Sequence, residues 1–251
     1  MDKAYVGRKN ASGIKKYGVE KCDTKIKGSY FSFEKTIEAS KNLPLFYALT
    51  QTHSISTNQL QKLYKDFGLK DSAQLNNRQA NTKQLAFELA FGIAEATPEK
   101  VHQIIHTLTG LLYNLPIQSA PHIVDKIKLS NGKIVRFYPK NTLKIAAYVK
   151  NKETKETLKQ IFRAPVYGSK GTLRSFQRIK GVQFLLAKSG TTGLQNNQVR
   201  DKWAVGSFKI RNHIYSYSIL VGSDDINGLG FKIKHSTVIY PIMKQIVKHL
   251  Q

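Results

Sequence analysis

The strongest constraint on the fold lies at the C-terminal end of the sequence. Three runs rich in apolar and aromatic residues, 182–188, 203–210 and 215–222, are followed by a stripe of Val238, Ile242, Met243, Ile246, Val247 and Leu250. β-Branched and aromatic residues in short runs bounded by polar connections read as strands. The stripe has helical spacing, so a terminal helix over 236–250 is expected to lie on one face of an antiparallel three-stranded sheet.

Upstream of that sheet the pattern is mostly helical. The run beginning at Ser32 reads as a short helix, broken by the polar triplet Ser40-Lys41-Asn42 and Pro44, with a second short helix behind it. Ser56 and Gln59 form a capping-box pattern at the head of a further helix that Gly68 closes. The most regular helix opens at Thr97-Pro98, and its Val101, Ile104, Ile105, Leu108, Leu111 and Leu112 fall on one face. Asn131-Gly132 is a hairpin turn between two alternating runs. A helix carrying Leu158, Ile161 and Phe162 then leads into the glycine-punctuated stretch from Gly168 to Gly171. Residues 1–30 and 76–81 read as loop. The chain therefore divides into a basic lead-in over 1–30, a helical lobe over 31–120, a hairpin and helix over 121–180, and strands with a terminal helix over 181–251. Helices segregated against an antiparallel sheet define an α+β fold.

Composition removes several classes of function. No run of about 18 apolar residues exists, so no membrane span is expected. The charged N-terminus lacks an apolar core behind it, so no secretory signal is expected either. Cys22 is the single cysteine, which excludes an intrachain disulfide and a multi-cysteine metal site. The net charge of +24 invites a nucleic-acid partner. Against that, only eight of the 40 basic residues are Arg and the lysines are spread along the whole chain. Arginine is the residue enriched where phosphates are gripped in bidentate fashion, so no specific nucleic-acid binding is expected.

Chemistry concentrates in two places. Lys188-Ser189-Gly190, followed by Thr191 and Thr192, sits where the first strand run ends. This resembles the Lys-Thr/Ser-Gly motif of the penicillin-binding proteins and serine β-lactamases. Arg200-Asp201-Lys202-Trp203, Val205-Gly206 and Val221-Gly222-Ser223-Asp224-Asp225 resemble the next two strands of the class A penicillin-binding proteins, which join a glycosyltransferase to a transpeptidase. Upstream, Ser40-Lys41-Asn42 with Pro44 resembles that family's Ser-x-Asn motif.

The resemblance implies a β-lactamase/transpeptidase-like fold that cross-links peptidoglycan stem peptides and binds β-lactams, without metal or other cofactor. It implies that Ser40 relays a proton to the leaving amine, that Asn42 binds the substrate carbonyl, and that Lys188 supplies positive potential. Ser189, Gly190, Thr191 and Thr192 would hold the substrate, with hydroxyls on its carboxylate and the Thr191 N–H in the oxyanion hole. It places the protein at the extracytoplasmic face of a bacterial cytoplasmic membrane.

The third motif of the family, Ser-x-x-Lys on an apolar helix, has no good match. Ser12–Lys15 lies in a glycine-containing loop, Ser32–Lys35 leads straight into Ser-x-Asn, and Ser130–Lys133 is the hairpin turn. By resemblance, the nucleophile helix and the first strands fall before Met1, so that a separately encoded N-terminal segment would be needed for activity. Three readings stay open: an incomplete transpeptidase, a non-catalytic module that binds stem peptides or β-lactams, and a basic nucleic-acid-binding protein. His102 and His106 have the spacing of a zincin pair, but Gln103 replaces the general-base glutamate, so they are expected to flank the polar face of their helix.

Overall fold

The computed structural model describes residues 3–5, 30–47, 49, 56–69, 96–116, 126–136, 141–193, 199–222 and 233–251. Strand β1 (Lys3–Tyr5) pairs antiparallel with β2 (Tyr30–Ser32), a correction to the loop expected across the whole of 1–30. Three-residue strands are too short to leave an alternating pattern among lysines and glycines. Residues 76–81 lie outside the described residues.

Ser32 caps α1 (Phe33–Glu38) by accepting from the Lys35 N–H. The helix ends with Lys41 N–H on the Thr36 carbonyl and Ser40 N–H on the Ile37 carbonyl. That pair of bonds is a Schellman motif, and Ser40 occupies its left-handed position with φ 51°. A new helix, α2 (Asn42–Tyr47), starts two residues later. The capping box of Ser56 and Gln59 opens α3 (Thr57–Asp66), and Gly68 follows at φ 71°. Thr97 caps α4 (Pro98–Tyr113), which stops at Asn114 in the left-handed region. Strands β3 (Lys126–Lys128) and β4 (Ile134–Arg136) form the expected hairpin, and α5 (Lys152–Tyr167) is capped by Asn151.

The main sheet has the order β5 (Gln183–Gly193), β6 (Val199–Ile210), β7 (His213–Val221), all antiparallel. The last helix, α6 (His235–Leu250), buries Ile239, Met243 and Val247 against Phe184, Ala187, Ala204, Phe208, Tyr217 and Ile219. On the opposite face, Leu108 and Leu112 of α4 meet Leu186, with Leu158 and Phe162 of α5 beside them. The sheet is thus the middle layer of three in an α+β fold. Each large side chain removed from water contributes about 1.5–3 kcal/mol before entropy is counted.

One irregularity in β5 positions the rest. Phe184 faces Phe208 across the ladder, yet Leu186 faces Ser207, so a bulge inserts one residue between them. Past the bulge, Lys188 pairs with Val205 and Ser189 with Ala204. Successive side chains of a strand point to opposite faces. Leu186 and Lys188 therefore face the helical lobe, while Ala187 and Ser189 face the α6 layer.

Candidate functional site

Lys188 and Ser40 meet. The Lys188 ammonium donates to the Ser40 hydroxyl at 2.6 Å across 148 residues of sequence, and to the Ser189 carbonyl at 2.6 Å. Burial of the ammonium lowers its pKa from the ordinary 10.5 to about 8, because water no longer solvates the charge.

The backbone explains why Ser40 is available for this contact. Hydroxyls inside helices are drawn back to their own carbonyls: Thr36 donates to Ser32, Thr107 to Gln103 and Thr109 to Ile105, each four residues back. Ser40 lies beyond the end of α1 and before the start of α2, where no such carbonyl competes.

Asn42 is the first residue of α2 and is half-buried. Ser189 is only 3% exposed, and its hydroxyl is hydrogen-bonded to that of Thr172 at 2.7 Å. The pleat turns that hydroxyl to the side away from Lys188. Gly190 lies opposite Trp203, and a side chain there would crowd the indole stem. Thr191 is exposed and accepts from the Lys202 ammonium at 3.3 Å. Thr192 belongs to β5 and pairs with Asp201 through the backbone.

Three residues near this end of the sheet were given no site role from the sequence. His235, the first residue of α6, donates from Nε2 to the Gly190 carbonyl at 2.9 Å, which fixes its tautomer. Its pKa is lowered mainly by burial, and the nearby Lys202 and Lys188 charges push it the same way. Lys202 is itself buried, which lowers its pKa as well. Two lysines thus share one end of β5 and create a region of positive potential, with His235 beside them. Glu38, the third, is 8% exposed and accepts from the Lys170 N–H at 2.6 Å, while its own carbonyl accepts from Thr172 N–H at 3.3 Å. Gly168 is required beside it, since a side chain there would run into the Glu38 carboxylate.

His102 and His106 lie on α4. Both are half-buried on the helix that packs against β7, and His102 Nε2 lies 2.8 Å from the Ser216 hydroxyl. Burial lowers both pKa values, and the His106 charge lowers that of His102 further.

Among the described residues, no helix is long and apolar enough to cross a membrane. No family model matches the chain. No curated protein matches it either. Among solved structures, the chain is similar to one described as the crystal structure of OXA-427 class D β-lactamase, with 12% identity and a TM-score of 0.49. The similarity covers 88% of this chain and 72% of that one. At that identity and score the likeness is too weak to assign a family or an activity.

Proposed function

We propose that the end of β5 is a carboxylate-binding site of the serine β-lactamase and penicillin-binding type. Its ligand in this reading is a D-alanyl-D-alanine stem peptide of peptidoglycan, or a β-lactam that mimics it. The observation that carries the reading is the 2.6 Å contact between Lys188 and Ser40. Nothing local in a chain forces a strand-end lysine onto a serine 148 residues away. The Ser-x-Asn and Lys-Ser-Gly strings are otherwise short enough to arise by chance.

In this reading Lys188 and Lys202 supply the potential that attracts a carboxylate. Near neutral pH the Lys188 ammonium is mostly charged, since its pKa is about 8. Thr191 offers an exposed hydroxyl, and Ser40 holds a proton that the lysine orients. Peptidoglycan substrates would place the protein outside the cytoplasmic membrane. A non-catalytic module that holds stem peptides or β-lactams would use the same contacts.

Calorimetric titration with an N-acyl-D-alanyl-D-alanine and with its C-terminal amide tests the proposal. Binding of the acid, weakened at least tenfold in the amide and in Lys188→Met, is the expected result. Equal affinity for acid and amide would overturn it.

A further inference from the structure

The hairpin of β3 and β4 takes no part in the site just described. Every residue from Lys126 to Val135 is exposed to water, and these include four large apolar side chains. Ile127, Leu129, Ile134 and Val135 are between 42% and 56% exposed. An isolated apolar side chain is ordinary on a protein surface, whereas a cluster marks a contact surface.

The register sorts these side chains. Ile127 pairs with Val135, and Lys128 with Ile134. Alternate residues of a strand point to opposite faces, so Ile127 and Val135 share one face. Lys126 and Lys128 share the other, with Ile134 beside them. The turn is closed by the Gly132 N–H on the Leu129 carbonyl and the Leu129 N–H on the Lys133 carbonyl, both 2.9 Å. Two short strands on their own bury little and are marginal in water, so covering the apolar face would stabilise them.

Charge decides what covers it. The stretch from Lys126 to Lys152 holds seven Lys, one Arg and no Asp or Glu, in a chain of net charge +24. A second copy would bring the same charge and be repelled. Single-stranded nucleic acid is held by aromatic stacking as well as by charge, and residues 126–136 include no aromatic. An anionic bilayer suits both halves of the hairpin. Its acyl boundary takes branched aliphatic side chains, and its headgroups attract lysines whose long stems let the ammonium reach them.

We propose that the β3–β4 hairpin seats the protein on an anionic phospholipid surface. Ile127 and Val135 enter the boundary between headgroups and acyl chains, and Lys126, Lys128 and Lys133 engage the headgroups. The contact is peripheral and reversible. It stands apart from the carboxylate-site reading, with which it shares no residue.

Co-sedimentation of the full chain with vesicles tests this, using phosphatidylcholine alone and an equal mixture with phosphatidylglycerol. Expected are binding to the mixture, none to phosphatidylcholine alone, and release in concentrated salt. Lys126→Gln with Lys128→Gln should weaken binding about 30-fold, at about fivefold for each charge lost near the surface. Lys244→Gln with Lys248→Gln removes the same charge from exposed positions on α6 and should cost far less. Equal losses in the two pairs would mean that net charge alone governs binding, and would overturn the role of the hairpin. Ile127→Ser with Val135→Ser keeps every charge and should weaken binding by about tenfold or more. Unchanged binding in that variant would show that the apolar face stays out of the bilayer, and would overturn the proposal. None of the substituted side chains belongs to the core, and circular dichroism checks that each variant is folded. A chain that ignores the vesicles but binds poly-L-glutamate or duplex DNA through the hairpin lysines would remove lipid as the partner.

Discussion

Ser40 carries a cost that its position makes measurable. An L-residue in the left-handed region is less stable than glycine there by about 1–2 kcal/mol. Ser40→Gly is therefore expected to raise the unfolding free energy by roughly 1 kcal/mol, read by urea denaturation, while erasing the contact to Lys188. Lys188 has a larger cost of the same kind. A fall in pKa from 10.5 to about 8 corresponds to a penalty of about 3 kcal/mol for holding the ammonium. The sign follows from proton counts. Between about pH 8 and 10.5 the unfolded chain still holds the proton that the folded lysine has lost, so stability rises with pH across that window. Lys188→Met should raise stability near neutral pH by about 1–2 kcal/mol, after allowing about 1 kcal/mol for the unpaired Ser40 hydroxyl. Its stability should also lack the rise that the lysine contributes between pH 8 and 10.5, measured as the difference from the parent chain in denaturation series.

At the scale of elements, the site is held by a closed loop of contacts. Glu38 binds the 170–172 segment, Thr172 binds Ser189, Ser189 adjoins Lys188, and Lys188 returns to Ser40 two residues from Glu38. Thr172→Val should leave the buried Ser189 hydroxyl unsatisfied and cost about 1–3 kcal/mol in chemical denaturation. Gly206 supports the same strand from the other side. A methyl group there would run into the Leu186 carbonyl and come within 2.7 Å of the Tyr217 hydroxyl. Gly206→Ala is thus expected to lower stability by about 1–3 kcal/mol, seen as a drop in melting temperature. These elements also show what a sequence carries. The helix at Thr97-Pro98, the capping box at Ser56 and the three strands were legible, because caps and apolar periodicity are local signals. The strand Lys3–Tyr5 was not, being defined only by its distant partner. The motif residues could be named from the sequence. That Ser189 turns away to Thr172 could not, because the phase of β5 depends on one bulge.

Across the whole molecule, buried bases set the acid limit. His102, His106 and His235 all lie below the ordinary 6.5, so the folded chain resists a proton that the unfolded chain accepts. Their contribution to stability is present above about pH 6.5 and is lost as pH falls through their lower folded values. The melting temperature is expected to drop on acidification from pH 7 to 5, and His106→Gln should make that drop shallower.

The bulge ahead of Leu186 has a consequence in the language of heredity. A strand keeps no record of which face a residue was meant for; it keeps only a count. Losing the single codon for Ala187 would keep the bulge and change the count beyond it by one. Ser189 would then be delivered to Ser40, and the Lys188 charge to the apolar layer around Met243. Every letter of both motifs would survive, and any search of the sequence would still find them. The protein would have lost its lysine from the site all the same, and an Ala187 deletion that retained the Ser40–Lys188 contact would show that the count does not govern it.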